Sequence, residues 1–131
     1  MMAKLERSPQ PARMEAVSRD ALVQAALQEI NQNYREASLS NVARAYGVSL
    51  AYVSECVRAQ TGRTYKELLQ KHRMETAARL LRRSDLNIQQ IIAQVGYENT
   101  SYFYRLFHER YGLSPREYRL VRTGTTRRPT A

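Results

Sequence analysis

The sequence contains few of the residues from which disulfide-bonded, metal-binding or membrane-spanning proteins are built. Its 131 residues include one cysteine, Cys56, and two histidines, His72 and His108. A single cysteine excludes a disulfide framework within the chain and every metal site that needs several cysteines. The apolar runs are only a few residues long, whereas a membrane-spanning helix needs about 18 apolar residues. We therefore expect no metal and no membrane partner.

Catalytic motifs are also missing from the sequence. Cys56 falls in an apolar stripe with helical spacing, which favours a buried core thiol over a nucleophile. Neither histidine has a Cys, His or carboxylate partner at the spacing of a metal or catalytic site. There is no glycine-rich phosphate loop, so we expect no enzyme activity and no cofactor. Residues 1–13 lack the apolar core of a secretory signal, which predicts a soluble protein of a reducing, cytoplasmic compartment.

Positive charge is what the sequence has in excess. It contains 21 Lys and Arg against 12 Asp and Glu, a formal net charge of +9. Residues 1–65 hold 8 basic and 6 acidic side chains, whereas residues 66–131 hold 13 and 6. Such an excess favours a polyanionic partner, and the second half of the chain contributes most of it.

Apolar residues recur at helical spacing from Ser18 onward and predict an all-α fold. No stretch alternates with a period of two for long enough to predict a strand. Glycines are placed to end four helices, at Gly47, Gly62, Gly96 and Gly112. The predicted helix-capping residues are Ser18, Thr64 with Glu67, Asn87 with Gln90, Asn99, and Ser114 with Glu117.

The sequence repeats itself at an offset of 50 residues. The matched pairs include Ala43 and Ala93, Val42 and Ile92, Tyr52 and Tyr102, Val57 and Phe107, and Gly62 and Gly112. Such self-similarity indicates one supersecondary unit used twice. The unit is a short helix, a tight turn and a second helix of about three turns, which is the helix-turn-helix pattern. In the second copy Gly96 stands one place earlier than Gly47 does in the first, which predicts a slightly different turn.

The second copy resembles the AraC/XylS-type bacterial transcription regulators. The most specific matches are residues 91–107 (IIAQVGYENTSYFYRLF) and 111–119 (YGLSPREYR), and the first copy, residues 42–62, also fits. The resemblance implies about seven helices that form two helix-turn-helix subdomains joined by a linker helix. It further implies a sequence-specific regulator that places the second helix of each subdomain in the major groove of double-stranded DNA. Successive major-groove segments on one face lie about 34 Å apart, so a monomer would span an asymmetric site.

The pattern divides the chain into five parts. These are a disordered arm or linker (1–17), a first helix-turn-helix subdomain (18–63), a linker helix (64–83), a second helix-turn-helix subdomain (84–122) and a disordered tail (123–131). In most members of the family, an effector-sensing or dimerising domain precedes the two helix-turn-helix subdomains. The chain is either a stand-alone regulator or the C-terminal part of a longer one, and its charged, proline-containing arm favours the second.

The side chains that face DNA must lie opposite the apolar stripe of each second helix. Matching the family's base-contacting positions selects Leu50, Ala51, Ser54, Glu55, Thr100, Ser101, Tyr104 and Arg105. Arg105 is the strongest candidate, because a guanidinium can donate to both acceptors on the major-groove edge of guanine. The alternatives for Arg105 are a contact with Ser101 or with a phosphate. Leu50 and Ala51 suit thymine methyl groups, and the hydroxyl side chains can donate or accept.

Two of these positions depart from the family pattern. Glu55 stands where an arginine is common, and it either accepts from cytosine N4 or pairs with Arg58 on a solvated face. Tyr104 is larger than the usual residue. It either contacts a sugar or a thymine methyl group, or it limits how deeply the helix enters the groove.

The predicted phosphate contacts are Ser49, Arg58, Lys66, His108, Arg116 and Arg119. Lys66, Arg116 and Arg119 stand near helix N-termini, whose free N–H groups also favour anions. Arg73 resembles a recurring arginine of the linker helix, and we expect it to bridge the subdomains rather than bind DNA.

The family resemblance also implies RNA polymerase as a partner during transcription activation. An alternative function is a helical adaptor that binds a protein such as RNA polymerase without its own sequence-specific DNA contacts. The net charge and the repeated unit argue against that as the sole role. RNA is disfavoured because an α-helix suits the B-form major groove and not the narrow A-form groove.

Overall fold

The computed structural model describes residues 17–123, which form seven helices and no strand. The helices are α1 (Arg19–Asn33), α2 (Leu39–Tyr46), α3 (Leu50–Thr61), α4 (Tyr65–Arg83), α5 (Ile88–Gln94), α6 (Thr100–Tyr111) and α7 (Pro115–Thr123). The predicted all-α class is therefore confirmed. Apart from residues 17 and 123, the predicted arm and tail lie outside the described residues.

Short-range hydrogen bonds start the helices at the predicted residues. The Glu67 N–H donates to Thr64 Oγ1 at 3.1 Å, and the Thr64 N–H donates to the Glu67 carboxylate at 2.9 Å. Ser114 and Glu117 repeat this reciprocal pair at 3.1 and 3.0 Å. The side chains of Ser18, Asn87 and Asn99 cap α1, α5 and α6 in turn. Each cap satisfies backbone N–H groups that have no partner within the helix.

The chain divides within α4 into two compact units, Met1–Leu69 and Gln70–Ala131. In the first unit, α1, α2, α3 and the start of α4 enclose one apolar core. Leu22, Val53, Cys56 and Val57 are completely buried in it. Cys56 is a free, buried thiol, which confirms its predicted place in the core.

The second unit has an aromatic core built on α6. Phe103 and Phe107 are completely buried. The Phe107 ring lies 4.6 Å from the Tyr111 ring and meets the Tyr118 ring edge-on at 5.3 Å, centroid to centroid. The aliphatic side chains buried in the same unit include Met74, Leu81, Ile91, Ile92 and Val95. These contacts fix α6 so that its opposite face is turned outward.

The two helix-turn-helix turns differ, as the position of the glycine predicts. Gly47 caps α2 directly in the left-handed conformation, with φ of 69°. In the second copy Val95 keeps a helical conformation after α5, and Gly96 then takes φ of 103°. A residue with a side chain adopts such positive φ values only at a cost, which is why glycine is needed at both turns.

Candidate nucleic-acid interface

The first candidate interface is the outer face of α3. Val53, Cys56 and Val57 occupy the buried face of this helix. The predicted base-contacting and phosphate-contacting residues on the opposite face are all exposed: Leu50, Ala51, Ser54, Glu55 and Arg58. Ser49 caps the helix, because its Oγ accepts a hydrogen bond from the Tyr52 N–H at 3.0 Å. The cap uses an acceptor lone pair of Ser49, so its hydroxyl proton is still available as a donor.

The outer face of α6 is the second candidate interface. Ser101, Tyr104, Arg105 and His108 are exposed there, opposite the buried phenylalanines. Thr100 is partly buried, and its hydroxyl lies 3.5 Å from the side-chain oxygen of Gln89. Within each second helix, the predicted residues thus lie on the face opposite the buried side chains, and all of them except Thr100 are exposed.

Leu50 and Tyr104 are the exposed large apolar side chains of the described residues, with 49% and 40% of their surface accessible. One lies on α3 and the other on α6, and both stand at predicted base-contacting positions. Both side chains are therefore accessible to a ligand.

Arg105 is held by two neighbours on its own helix. Its guanidinium carbon lies 5.0 Å from the centre of the Tyr102 ring. Its Nη1 lies 3.7 Å from a carboxylate oxygen of Glu109, one helical turn further on. Ser101 was the predicted neighbour of Arg105, and neither of these two contacts was predicted. The i, i+4 spacing of Arg105 and Glu109 is the signal that would have found the second.

Glu55 and Arg58 form the ion pair that is one of the two predicted roles of Glu55. The Arg58 Nε lies 3.8 Å from a Glu55 carboxylate oxygen, and both side chains are about three-fifths exposed. The pair cancels charge on the outer face of α3. A contact between Glu55 and a cytosine stays a prediction.

A recess of about 420 Å³ in the second unit joins residues that are distant in the sequence. Tyr104 from α6, Arg116 and Arg119 from α7, and Gln89 from α5 all contribute to its wall. In this recess, the predicted base-contacting residue Tyr104 therefore lies beside the predicted phosphate-contacting residues Arg116 and Arg119. Gln89, exposed in the first turn of α5, is a candidate that the sequence analysis does not identify. A second recess, next to the N-terminus of α6, is lined by Ser101 and Arg105 together with Asn99 and Tyr102.

Arg119 makes structural hydrogen bonds, and its contact with a phosphate stays a prediction. Its Nε donates to the Leu81 carbonyl at 3.0 Å, and its Nη2 donates to the Ser84 carbonyl at 3.2 Å. The side chain is partly buried and satisfies carbonyls at the end of α4. A phosphate contact would depend mainly on the third nitrogen, Nη1.

Replacing Arg119 by alanine is expected to lower the free energy of unfolding by about 1–3 kcal/mol, because two carbonyls lose a charged donor. Urea denaturation followed by far-UV circular dichroism measures this change. Arg83→Ala removes an exposed arginine from the last turn of α4 and is expected to cost only about 0.5 kcal/mol. Equal losses for the two variants would show that the bonds of Arg119 contribute no net stability.

Lys66 and Arg116 occupy equivalent places in the two copies. Each is exposed in the first turn of its helix, two residues after a capping Thr64 or Ser114. The N–H groups of a first helical turn attract anions, so both side chains stand where a phosphate would be favoured.

Arg73 packs over an aromatic ring within the second unit. Its guanidinium carbon lies 5.2 Å from the centre of the Tyr97 ring, just after the turn at Gly96. Burial raises the pKa of Tyr97, and the positive charge of Arg73 partly opposes that rise. The expected bridge from Arg73 to the first subdomain stays a prediction.

Neither a metal site nor a membrane span is found in the described part of the chain. Residues 17–123 contain no group of three or more His, Cys, Asp or Glu side chains placed to hold a metal ion. No helix among them is long and apolar enough to cross a bilayer.

A family model described as a helix-turn-helix domain matches residues 42–120 of the chain. The transcriptional activator NphR from a Rhodococcus species is 37% identical over 92 residues. That match covers 69% of this chain and 27% of NphR, so the chain corresponds to about a quarter of that relative.

Solved structures with the same fold agree with this match. The C-terminal domain of AraT, a response regulator from Geobacillus stearothermophilus, is 35% identical with a TM-score of 0.70, over 79% of this chain and 85% of that domain. The DNA-binding domain of AdpA, solved in complex with a target DNA, shares the fold at a TM-score of 0.70 and 21% identity, over 84% of this chain and 97% of that domain. NphR is described as a transcriptional activator and AraT as a response regulator. The chain belongs to the AraC/XylS-type family of helix-turn-helix transcription regulators.

Proposed function

We propose that this chain binds double-stranded DNA sequence-specifically as part of a bacterial transcription regulator. It inserts α3 and α6 into successive major-groove segments of one promoter site. The observation that carries the proposal is the exposure of Leu50 and Tyr104, one on each of the two helices related by the sequence repeat. The AdpA domain of the same fold was solved with its target DNA, which supports DNA as the ligand class.

The chemistry of the two outer faces suits the edges of base pairs. Leu50 and Ala51 offer apolar contacts for thymine methyl groups, and Ser54 and Ser101 can donate or accept. Arg105 can donate to both guanine acceptors. On α3, Leu50 and Ala51 stand beside Ser54, and on α6, Tyr104 stands beside Ser101 and Arg105. Each face therefore offers both polar and apolar groups, which direct recognition of a mixed sequence requires.

The two units differ in net charge, so they are expected to contribute differently to sequence-independent affinity for DNA. The ion pair of Glu55 and Arg58 leaves the outer face of α3 nearly neutral. Most of the net positive charge lies in residues 66–131. We infer that the second unit supplies more of the sequence-independent attraction to phosphates, which dominates affinity for any duplex.

Binding selection from a random duplex library tests the proposal. We expect an asymmetric site with two enriched blocks, whose centres are separated by about one helical turn of DNA. A salt titration of the selected duplex and of a scrambled duplex then separates specific from sequence-independent affinity.

Other results of the selection have definite meanings. An enriched palindrome would indicate a dimer and contradict the monomeric mode. If no sequence is enriched and both duplexes weaken equally with salt, sequence-specific binding fails. A pull-down of RNA polymerase by that same protein would then favour the helical adaptor, whereas RNA polymerase contact beside specific DNA binding would agree with an activator.

Lys66→Ala and Arg116→Ala are expected to weaken binding to every duplex by a similar factor, since phosphates carry no sequence information directly. Each variant should also reduce the slope of log K against log salt concentration by about 0.9. Fluorescence anisotropy over a range of salt concentrations measures both quantities. Lys71→Ala is the matched control, because Lys71 is exposed and pairs with Glu75 at 3.1 Å. If Lys71→Ala changed the salt slope as much as Lys66→Ala and Arg116→Ala do, the first helical turns would have no particular role in binding phosphates.

A further inference from the structure

Arg105, on the outer face of α6, has an aromatic and an acidic neighbour on the same helix. The Tyr102 ring lies below the guanidinium at 5.0 Å, and the Glu109 carboxylate lies 3.7 Å from Nη1. Arg105 and Glu109 are 61% and 62% exposed, so the pair stands in solvent on the face proposed to enter the groove.

This arrangement leaves part of the guanidinium available for a ligand. A guanidinium has five N–H donors in one plane. The Glu109 carboxylate is nearest to Nη1, so it leaves the edge formed by Nε and Nη2 to other acceptors. A bidentate contact with the two guanine acceptors needs only one such edge.

We propose that Glu109 is a positioning residue that makes DNA binding more specific by directing Arg105 toward bases and away from phosphates. The inference rests on the proposed function and assigns to it a residue outside the predicted DNA contacts. When Arg105 bonds guanine, Glu109 can stay paired with Nη1. When Arg105 turns toward a phosphate, that pair is lost and the carboxylate repels the phosphate.

The strength of the pair is suited to this role. An exposed ion pair contributes little free energy. DNA can therefore still bind Arg105 while Glu109 is beside it. Binding to an unrelated duplex depends almost wholly on phosphate contacts. A negative charge beside a groove-facing arginine therefore penalises unrelated duplexes more than the cognate site.

The pair is particular to the second copy of the repeat. The positions of α3 that correspond to Arg105 and Glu109 are Glu55 and Ala59. The acidic side chain of α3 pairs instead with Arg58, three residues further on. The arrangement on α6 is therefore not a consequence of the shared helix-turn-helix pattern.

Glu109→Gln tests the proposal, with Glu75→Gln as the matched control. Both variants remove one exposed carboxylate from an i, i+4 ion pair, but Glu75 pairs with Lys71 on α4. For Glu109→Gln, we expect binding to a scrambled duplex to tighten by about twofold to fivefold, the range that an exposed charge pair is worth. The salt slope for that duplex should steepen by about 0.9 as Arg105 gains a phosphate. Affinity for the selected site should change less, so the ratio of the two affinities falls.

The double variant Arg105→Ala with Glu109→Gln shows whether Glu109 acts through Arg105. We compare the affinity of the double variant for the scrambled duplex with that of Arg105→Ala. The increase should be no larger than the increase that Glu75→Gln causes in the wild-type protein. An undiminished gain would mean that the carboxylate acts on phosphates by itself, which overturns the positioning role. If the wild-type chain discriminates between duplexes but Glu109→Gln matches Glu75→Gln, the inference fails alone. If the wild-type chain does not discriminate, the proposed function has failed.

Discussion

Phe107→Ala is expected to lower the free energy of unfolding by about 3–5 kcal/mol, the range for truncating a buried phenylalanine. The Phe107 side chain is completely buried and contacts the rings of Phe103, Tyr111 and Tyr118. Its removal leaves a cavity between α6 and α7, which the neighbouring rings fill only in part. Urea denaturation followed by far-UV circular dichroism measures the loss.

Tyr104→Ala is the control on the same helix. Tyr104 is 40% exposed, so its truncation should change the free energy of unfolding by no more than about 1 kcal/mol. If Phe107→Ala prevents folding, Phe107→Leu keeps most of the volume and should cost less than half as much. Losses for Phe107→Ala no larger than those for Tyr104→Ala would contradict the aromatic core as the support of α6.

Arg105→Ala is expected to cost about 1–3 kcal/mol in binding to the selected site and to relax discrimination at one base pair. A bidentate contact with guanine is lost, and only that base pair loses its distinguishing partner. Fluorescence anisotropy with the selected duplex and its single-base variants measures both effects. The side chain is exposed, so the melting temperature should hardly change.

Arg110→Ala is the matched control for Arg105→Ala. Arg110 is exposed on the same helix but lies five residues further on, where it contributes to a recess with Gln70 and Met74. We expect a smaller loss of affinity that is the same for every duplex. If Arg105→Ala also weakened binding to every duplex by the same factor, Arg105 would be a phosphate contact and not a base contact.

The helices of this protein could be predicted from the sequence because their signals are local. Each cap joins groups three residues apart, as Thr64 and Glu67 do, so the pattern of residue types contains both partners. The outward faces follow in the same way, since Val53 and Phe103 mark the buried side of α3 and α6. Exposure of the predicted contact residues opposite them is a consequence of helical geometry.

The start of α2 is stabilised by a contact that no local pattern predicts. Ser38 precedes α2, yet its side chain makes no capping hydrogen bond. A Glu29 carboxylate oxygen on α1 accepts instead from the Ser38 N–H at 3.3 Å and from the Asn41 side chain at 3.4 Å. The partner lies nine residues away from Ser38, beyond the reach of a capping motif, and it is in place only once α1 and α2 have packed.

The sequence by itself determined the helices, the repeated unit and the two outward faces, because all of these depend on spacing within one or two helical turns. Only the tertiary structure decided which residues share a surface. It placed Tyr104 beside Gln89 and Arg116 in one recess, and it engaged Arg119 with the carbonyls of Leu81 and Ser84. Those neighbours come from different helices, and packing of the apolar cores sets their separation, which no local spacing records.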